Sequence, residues 1–215
     1  MKKNFINKYC FEIKKKFKKN ILELHEPFFK KNEIDQLKKA ISTKIVSTHG
    51  NITEKFEKKL SNFTKTKYVI ATNSGTSAIH VALISLGLKN SDEVLVPNLN
   101  YIASANAILY LGGIPNFIDT NERSPSIDLE KLKDYLSKNT KKINGDCINI
   151  RTKRKIHSII ITHIFGHIED IDKLKNLTKN FNLKLIEDAS EALGSFYKKK
   201  HAGSFGDVGI ISFNG

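Results

Sequence analysis

The sequence predicts an α/β fold in which a mostly parallel sheet is covered by helices on both faces. Two observations carry this. From residue 67 onward, apolar runs of strand length alternate with segments of helical period. The runs are short and are bounded by segments of helix length, a pattern that implies a mostly parallel sheet covered on both faces. Ligands of such sheets sit at the carboxyl ends of the strands, so the residues that follow each run are the first place to look for chemistry.

The elements follow in order. Residues 5–20 predict a basic amphipathic helix with Phe5, Tyr9, Ile13 and Phe17 at four-residue spacing. Pro27 keeps an arm around Leu24-His25-Glu26-Pro27 extended. A second helix spans 31–43 with Ile34, Leu37 and Ile41 inward, and Thr53 is the expected N-cap of a third, which carries Phe56, Leu60 and Phe63. Strands are then expected at 68–71, 94–96, 114–118, 159–161, 183–186 and 208–212. The intervening helices are expected at 76–86, 102–111, 128–136 and 170–180. Residues 138–155, with lysines, asparagines and Gly145 but no clear period, read as a surface insertion, and Lys198 to Lys200 as a polar hairpin. The expected division is an N-terminal helix and arm over 1–30 and one large domain over 31–215.

Composition excludes several classes. The 215 residues carry a formal net charge of +14, which raises the question of nucleic acid. The lysines, however, are spread over many helix faces, and arginine occurs only at Arg123, Arg151 and Arg154, so no base-reading groove is expected. Cys10 and Cys147 have no metal-ligand or disulfide spacing. No apolar stretch is long enough to span a bilayer, and the basic N-terminus lacks the apolar core of a secretory signal. A cytoplasmic protein without nucleic-acid or membrane partners is expected, with the first helix packed on the domain because its four-residue stripe is narrow.

Five segments at strand ends could carry chemistry. In Thr72-Asn73-Ser74-Gly75-Thr76-Ser77-Ala78, Gly75 permits a tight turn, and hydroxyls cluster at a helix N-terminus, where free amides and the dipole favour a phosphate. An ordinary capped helix start has the same residues. Ile186-Glu187-Asp188-Ala189-Ser190-Glu191 ends an apolar run in carboxylates, suited to a cofactor or to a cap. His163, in Thr162-His163-Ile164-Phe165-Gly166-His167, also follows a strand, though a lone histidine is commonly a packing residue. Tyr101, after Pro97, could stack on a planar ring or simply pack. Glycines from Gly203 to Gly209, ahead of Ser212-Phe213-Asn214-Gly215, suggest tight backbone near a site or a plain turn.

The order of these segments is more specific than any one of them. It resembles the DegT/DnrJ/StrS family from about residue 22 to the end. Those are fold-type-I enzymes that use pyridoxal 5'-phosphate to aminate nucleotide-linked keto-sugars. The resemblance implies a large domain of that fold. It makes Ser74, Gly75, Thr76 and Ser212 phosphate contacts, Tyr101 the ring-stacking aromatic and Asp188 the acid facing the pyridine nitrogen. It places His163 near the ring substituents and Glu191 near the ring hydroxyl, where the family usually has glutamine or histidine. Leu24 to Pro27 and Glu187 to Glu191 resemble most the branch serving legionaminic-acid-type sugars, which acts on UDP-linked 4-keto-6-deoxy-N-acetylhexosamines. The implied reaction is transamination of a nucleotide-linked 4-keto-6-deoxy sugar by an amino acid, typically glutamate, for surface polysaccharide or nonulosonic acid synthesis. The complete enzyme is implied to be a homodimer.

No residue within 206–215 can serve as the Schiff-base lysine, which the resemblance puts just beyond Gly215, together with a small C-terminal domain. The 215-residue chain alone is therefore expected not to transaminate. A dehydratase-like relative with histidine in place of that lysine, and a non-catalytic binding or dimerisation module, are the competing readings. The retained Gly75, Thr76, Tyr101 and Asp188 set favours a cofactor enzyme.

Overall fold

A computed structural model describes residues 2–18, 21, 28–44 and 51–213. The expected arm around Leu24 to Pro27 lies outside the described residues. The chain divides into two compact units, Met1–Ser47 and Thr48–Asn214.

The first unit holds α1 (Lys2–Phe17) and α2 (Lys31–Ser42). The Glu33 carboxylate accepts from the Lys30 amide at 2.7 Å, satisfying a donor ahead of α2. Ile34, Leu37 and Ile41, expected to face inward, are exposed, and α2 has no buried residue. So short a helical segment does not enclose a core of its own.

The second unit contains α3 (Asn51–Thr64), α4 (Gly75–Ser85), β1 (Glu93–Pro97), α5 (Ala103–Tyr110), β2 (Ile114–Ile118) and α6 (Leu129–Asn139). There follow β3 (Thr140–Ile143), β4 (Asp146–Asn149), β5 (Lys155–Thr162), α7 (Ile171–Asn180), β6 (Lys184–Asp188), the β7–β8 hairpin (Phe196–Tyr197 and Lys200–His201) and β9 (Val208–Ile210). Five strands run parallel in the order β2-β1-β5-β6-β9. Asp128 and Asp170 cap α6 and α7 through their carboxylates, which is why these helices start where they do. Thr53, by contrast, lies inside α3 rather than ahead of it: Asn51 already opens that helix.

Strand alternation divides the core. Val94, Val96, Ile160, Ile186 and Ile210 pack with Ile79, Leu83 and Ile108 of α4 and α5. Leu95, Ile159, Ile161 and Leu185 pack with Leu132, Leu136 and Leu174 of α6 and α7. Each face of the sheet thus has its own helix layer.

Two further expectations fail. Residues 68–71 are not a strand: Tyr68 and Ile70 are exposed, and the Ala71 amide donates to Glu57 Oε1 at 2.8 Å instead of to a ladder. Strand chemistry without a neighbouring strand to bond does not make a strand, and among the described residues none pairs with this segment. Nor is 138–155 merely a surface insertion. β3 and β4 form an antiparallel hairpin, and β4 extends the sheet by pairing with β5 at Cys147↔Ile156. Its anchor is Asn149, whose Nδ2 donates at 2.9 Å to the buried Glu93 Oε2. Asn116 Nδ2 and Thr152 Oγ1 donate to the same carboxylate at 2.8 and 2.5 Å. Asn149→Ala is expected to destabilise the fold by about 2–3 kcal/mol, because it takes a donor from a buried charge and strands the Arg151 and Thr152 amides. Urea denaturation of the two chains measures this.

Candidate active site

β6 delivers two carboxylates in succession, and the pleat sends them to opposite faces. Asp188 shares the parity of Ile186 and so points to the side of α4, whereas Glu187 shares that of Leu185. Both are buried.

On the α4 side, Asp188 Oδ1 accepts from Ser190 Oγ at 2.6 Å and from the Ser190 amide at 3.2 Å, a local turn of the Asx type. Burial raises the Asp188 carboxyl above its usual range; the Ser190 bonds and the neighbouring His163 ring pull it back, and Glu191 pushes it further up. Ser190 also borders Gly75, the first residue of α4. A Cβ built on Gly75 would lie 3.4 Å from Ser190 Oγ and 3.7 Å from Ser212 Cβ, so the three residues from three separate segments line one gap. Ser74 caps α4: its Oγ accepts from the Ser77 amide at 3.1 Å. The amides of Gly75 and Thr76 lie in the first turn of α4, where no intrahelical acceptor exists. The capped-start reading and the phosphate reading are thus compatible, since the cap uses the Ser77 amide and leaves the first two.

On the other side, Glu187 holds the backbone. Its Oε1 accepts from the Phe205 and Gly206 amides at 2.5 and 2.6 Å, and its Oε2 from the Gly203 amide at 2.9 Å and His163 Nε2 at 3.0 Å. Desolvation raises this carboxyl, but the His163 and amide bonds together outweigh it, and the net direction is down. His163 is almost wholly buried, and its own amide donates to the Asp188 carbonyl at 2.9 Å. One nitrogen of its ring, Nε2, is therefore engaged by Glu187. Glu191 is exposed, and its Oε2 accepts from the Phe165 amide at 2.7 Å, bracing a turn in which Phe165 has φ 52°. Tyr101 lies beyond β1 and is 75% exposed.

The structure therefore brings Gly75, Ser190 and Ser212 together, with Asp188 joined to them through Ser190 and with Ser74 and Thr76 at the same helix start, and gives His163 and Glu191 bonds to Glu187 and to the Phe165 amide. Sequence reasoning missed Ser190 and Glu187 as site builders. Strand parity next to Asp188, and a serine two residues after an aspartate, were the available signals. Thr162 pairs with Asp188 in the β5–β6 register, and its Oγ1 is buried with no hydrogen-bond partner among the described residues. A cavity of 690 Å³ reaches Ser74, Gly75 and Ser212 but runs away from Asp188, between residues 66–72 and β9.

The model of the DegT/DnrJ/EryC1/StrS aminotransferase family matches residues 27–215. The chain belongs to this family. Among DegT-type relatives, GDP-perosamine synthase of Escherichia coli O157:H7 is 33% identical, over 90% of this chain and 49% of its own length. The UDP-4-amino-4,6-dideoxy-N-acetyl-β-L-altrosamine transaminase of Campylobacter jejuni is 36% identical, over 85% of this chain and 44% of its own. A structure from Streptococcus pneumoniae titled "putative sugar aminotransferase", in its PLP form, superposes with a TM-score of 0.72 at 26% identity, covering 90% of this chain and 49% of the other. The chain spans about half the length of the DegT-type relatives it matches.

Proposed function

We propose that the gap bounded by Gly75, Ser190, Ser212 and Asp188 holds pyridoxal phosphate, and that the protein aminates a nucleotide-linked 4-keto-6-deoxy sugar with glutamate as donor. The observation that carries this is the convergence of a buried strand-end carboxylate and the first turn of α4 on one gap. The residues fit the group. The Gly75 and Thr76 amides and the α4 dipole suit its phosphate, with the hydroxyls of Ser74 and Ser212 beside them. Asp188 suits a protonated ring nitrogen, because a buried carboxylate lacking a cation is held at a cost that such a nitrogen relieves. Tyr101 supplies an aromatic face. When bound, the cofactor supplies an electron sink for bond-breaking next to the amino nitrogen. The chain's own part is to keep the ring nitrogen protonated through Asp188 and to fix the phosphate without a charged side chain.

The name of the Campylobacter relative puts an amino group on C4 of a 4,6-dideoxy sugar, which supports a C4 ketone as the acceptor. The legionaminic-acid-type branch with a UDP-linked N-acetylhexosamine is our narrower proposal, against the GDP sugar named for the Escherichia coli relative. The test incubates the gene's complete product with glutamate and either UDP- or GDP-linked 4-keto-6-deoxyhexose, and follows amino-sugar formation by mass spectrometry. An amino sugar from the UDP substrate is expected. Loss of a hydroxyl without amination overturns the transaminase reading, and exclusive use of the GDP substrate overturns the narrower one.

Gly75→Ala is expected to weaken pyridoxal phosphate binding about tenfold while leaving the melting temperature near that of the parent. The added methyl narrows the gap, but ordinary contacts of 3.4 Å and more need no backbone shift. Titration calorimetry and a thermal melt separate the two effects.

A further inference from the structure

We propose that α1 is an interfacial helix that seats the chain on an anionic phospholipid bilayer. The segment lies ahead of residue 27, where the family match begins, so the aminotransferase fold does not account for it. Residues 1–19 hold eight lysines against one glutamate, a net +7, which is half of the chain's +14. The lysine bias of the whole sequence does not explain such concentration in so short a stretch.

The helical period sorts these residues. At about 100° per residue, Phe5, Tyr9, Ile13, Ile6, Phe17 and Cys10 fall on one arc of about 140°, wider than the four-residue stripe alone suggests. Lys8, Lys14 and Lys15 occupy the remainder with Asn4 and Asn7. Three residues break the pattern: Phe11 sits on the polar side, and Lys2 and Lys16 fall at phases inside the arc, at the first and last turns. The large apolar side chains are exposed, Phe5 at 69%, Tyr9 at 62% and Phe17 at 59%, and the Phe5 and Tyr9 rings stack at 5.9 Å. Among the described residues no helix is long and apolar enough to cross a membrane, so α1 would lie on the surface.

The chemistry selects lipid over other partners. Phosphodiester headgroups offer a diffuse negative sheet that flexible ammonium groups match without fixed geometry, while an aromatic arc enters the acyl boundary beneath them. Lysine stems reach from the edge of such an arc back to the headgroups. A nucleic acid would use the lysines and leave the aromatic arc in water; a second copy of the helix would bury the arc and bring two clusters of +7 together.

The test uses the 215-residue chain and vesicles of phosphatidylglycerol with phosphatidylethanolamine, against phosphatidylcholine alone. Co-sedimentation is expected to be at least about tenfold stronger on the anionic vesicles and to fall in about 0.5 M salt. It should be lost both in Phe5→Ser/Ile13→Ser and in Lys8→Glu/Lys14→Glu/Lys15→Glu. The chain has no tryptophan, so Tyr9→Trp gives a single reporter, whose emission should shift to the blue only with anionic vesicles. Equal binding to both vesicles, no binding, or binding indifferent to the α1 substitutions overturns the proposal. So does lipid-free self-association, or duplex DNA binding without vesicle binding, that the same substitutions abolish.

Discussion

Asp188→Asn will weaken pyridoxal phosphate binding by about tenfold to 100-fold and will not lower the melting temperature of the free protein. The first effect follows from replacing a charge-assisted hydrogen bond to the ring nitrogen by a neutral one. The second follows from linkage. Burial raises the Asp188 carboxyl above its usual 3.8, so its contribution to folding is fully present below the unfolded value and is lost as pH rises through the raised one. Ionisation of the group therefore works against the fold. Asparagine keeps an Oδ1 for Ser190 and removes the charge. Calorimetric titration with the cofactor and a thermal melt at pH 7 check both halves; a variant that melts earlier and binds as before contradicts the assignment of Asp188 to the cofactor.

Glu187→Ala will be the more damaging change to the fold, at about 3–5 kcal/mol, because it leaves three half-buried backbone amides and the buried His163 without their acceptor. Glu187→Gln will cost less, about 2–3 kcal/mol, since one acceptor oxygen remains while the amide nitrogen faces donors. The pH dependence has the opposite sign to that of Asp188. Glu187 is held below its usual 4.5, so its stabilisation is present above that value and is lost as pH falls through the lower, folded one. Urea denaturation at pH 7 and at pH 4 should show the gap between parent and Glu187→Gln narrowing on acidification.

The five parallel strands were legible because short apolar runs alternate with segments of helical period, most plainly at β1 and β5, whose interior residues are buried on both faces. The helices expected at 128–136 and 170–180 begin at Asp128 and Asp170, which the structure shows to be their caps. What failed needed a partner elsewhere in the chain. Tyr68 to Ala71 have strand composition but no ladder, and the 138–155 segment has no period of its own because Asn149 and Cys147 are held by Glu93 and β5, tens of residues or more from the hairpin in one case and adjacent in the other. At the site, the helix start and Asp188 could be read from residue type. That His163 serves Glu187, and Glu191 the Phe165 amide, depends on turns whose geometry the residue types alone do not encode.

The neighbouring positions of Glu187 and Asp188 make the site a parity check on its own strand. One carboxylate braces the glycine turn and the other faces the α4 gap solely because one residue is odd in the pleat and its neighbour even. Deleting a single residue from Lys184 to Ile186 would preserve an apolar run ending in two acids, and composition would hardly register it. The acids would exchange faces, the brace would turn toward the gap, and the gap acid toward the turn. Length in this strand is accordingly under tighter constraint than identity: Leu185 and Ile186 can trade for other branched apolar residues, whereas an odd-numbered insertion or deletion exchanges the two tasks.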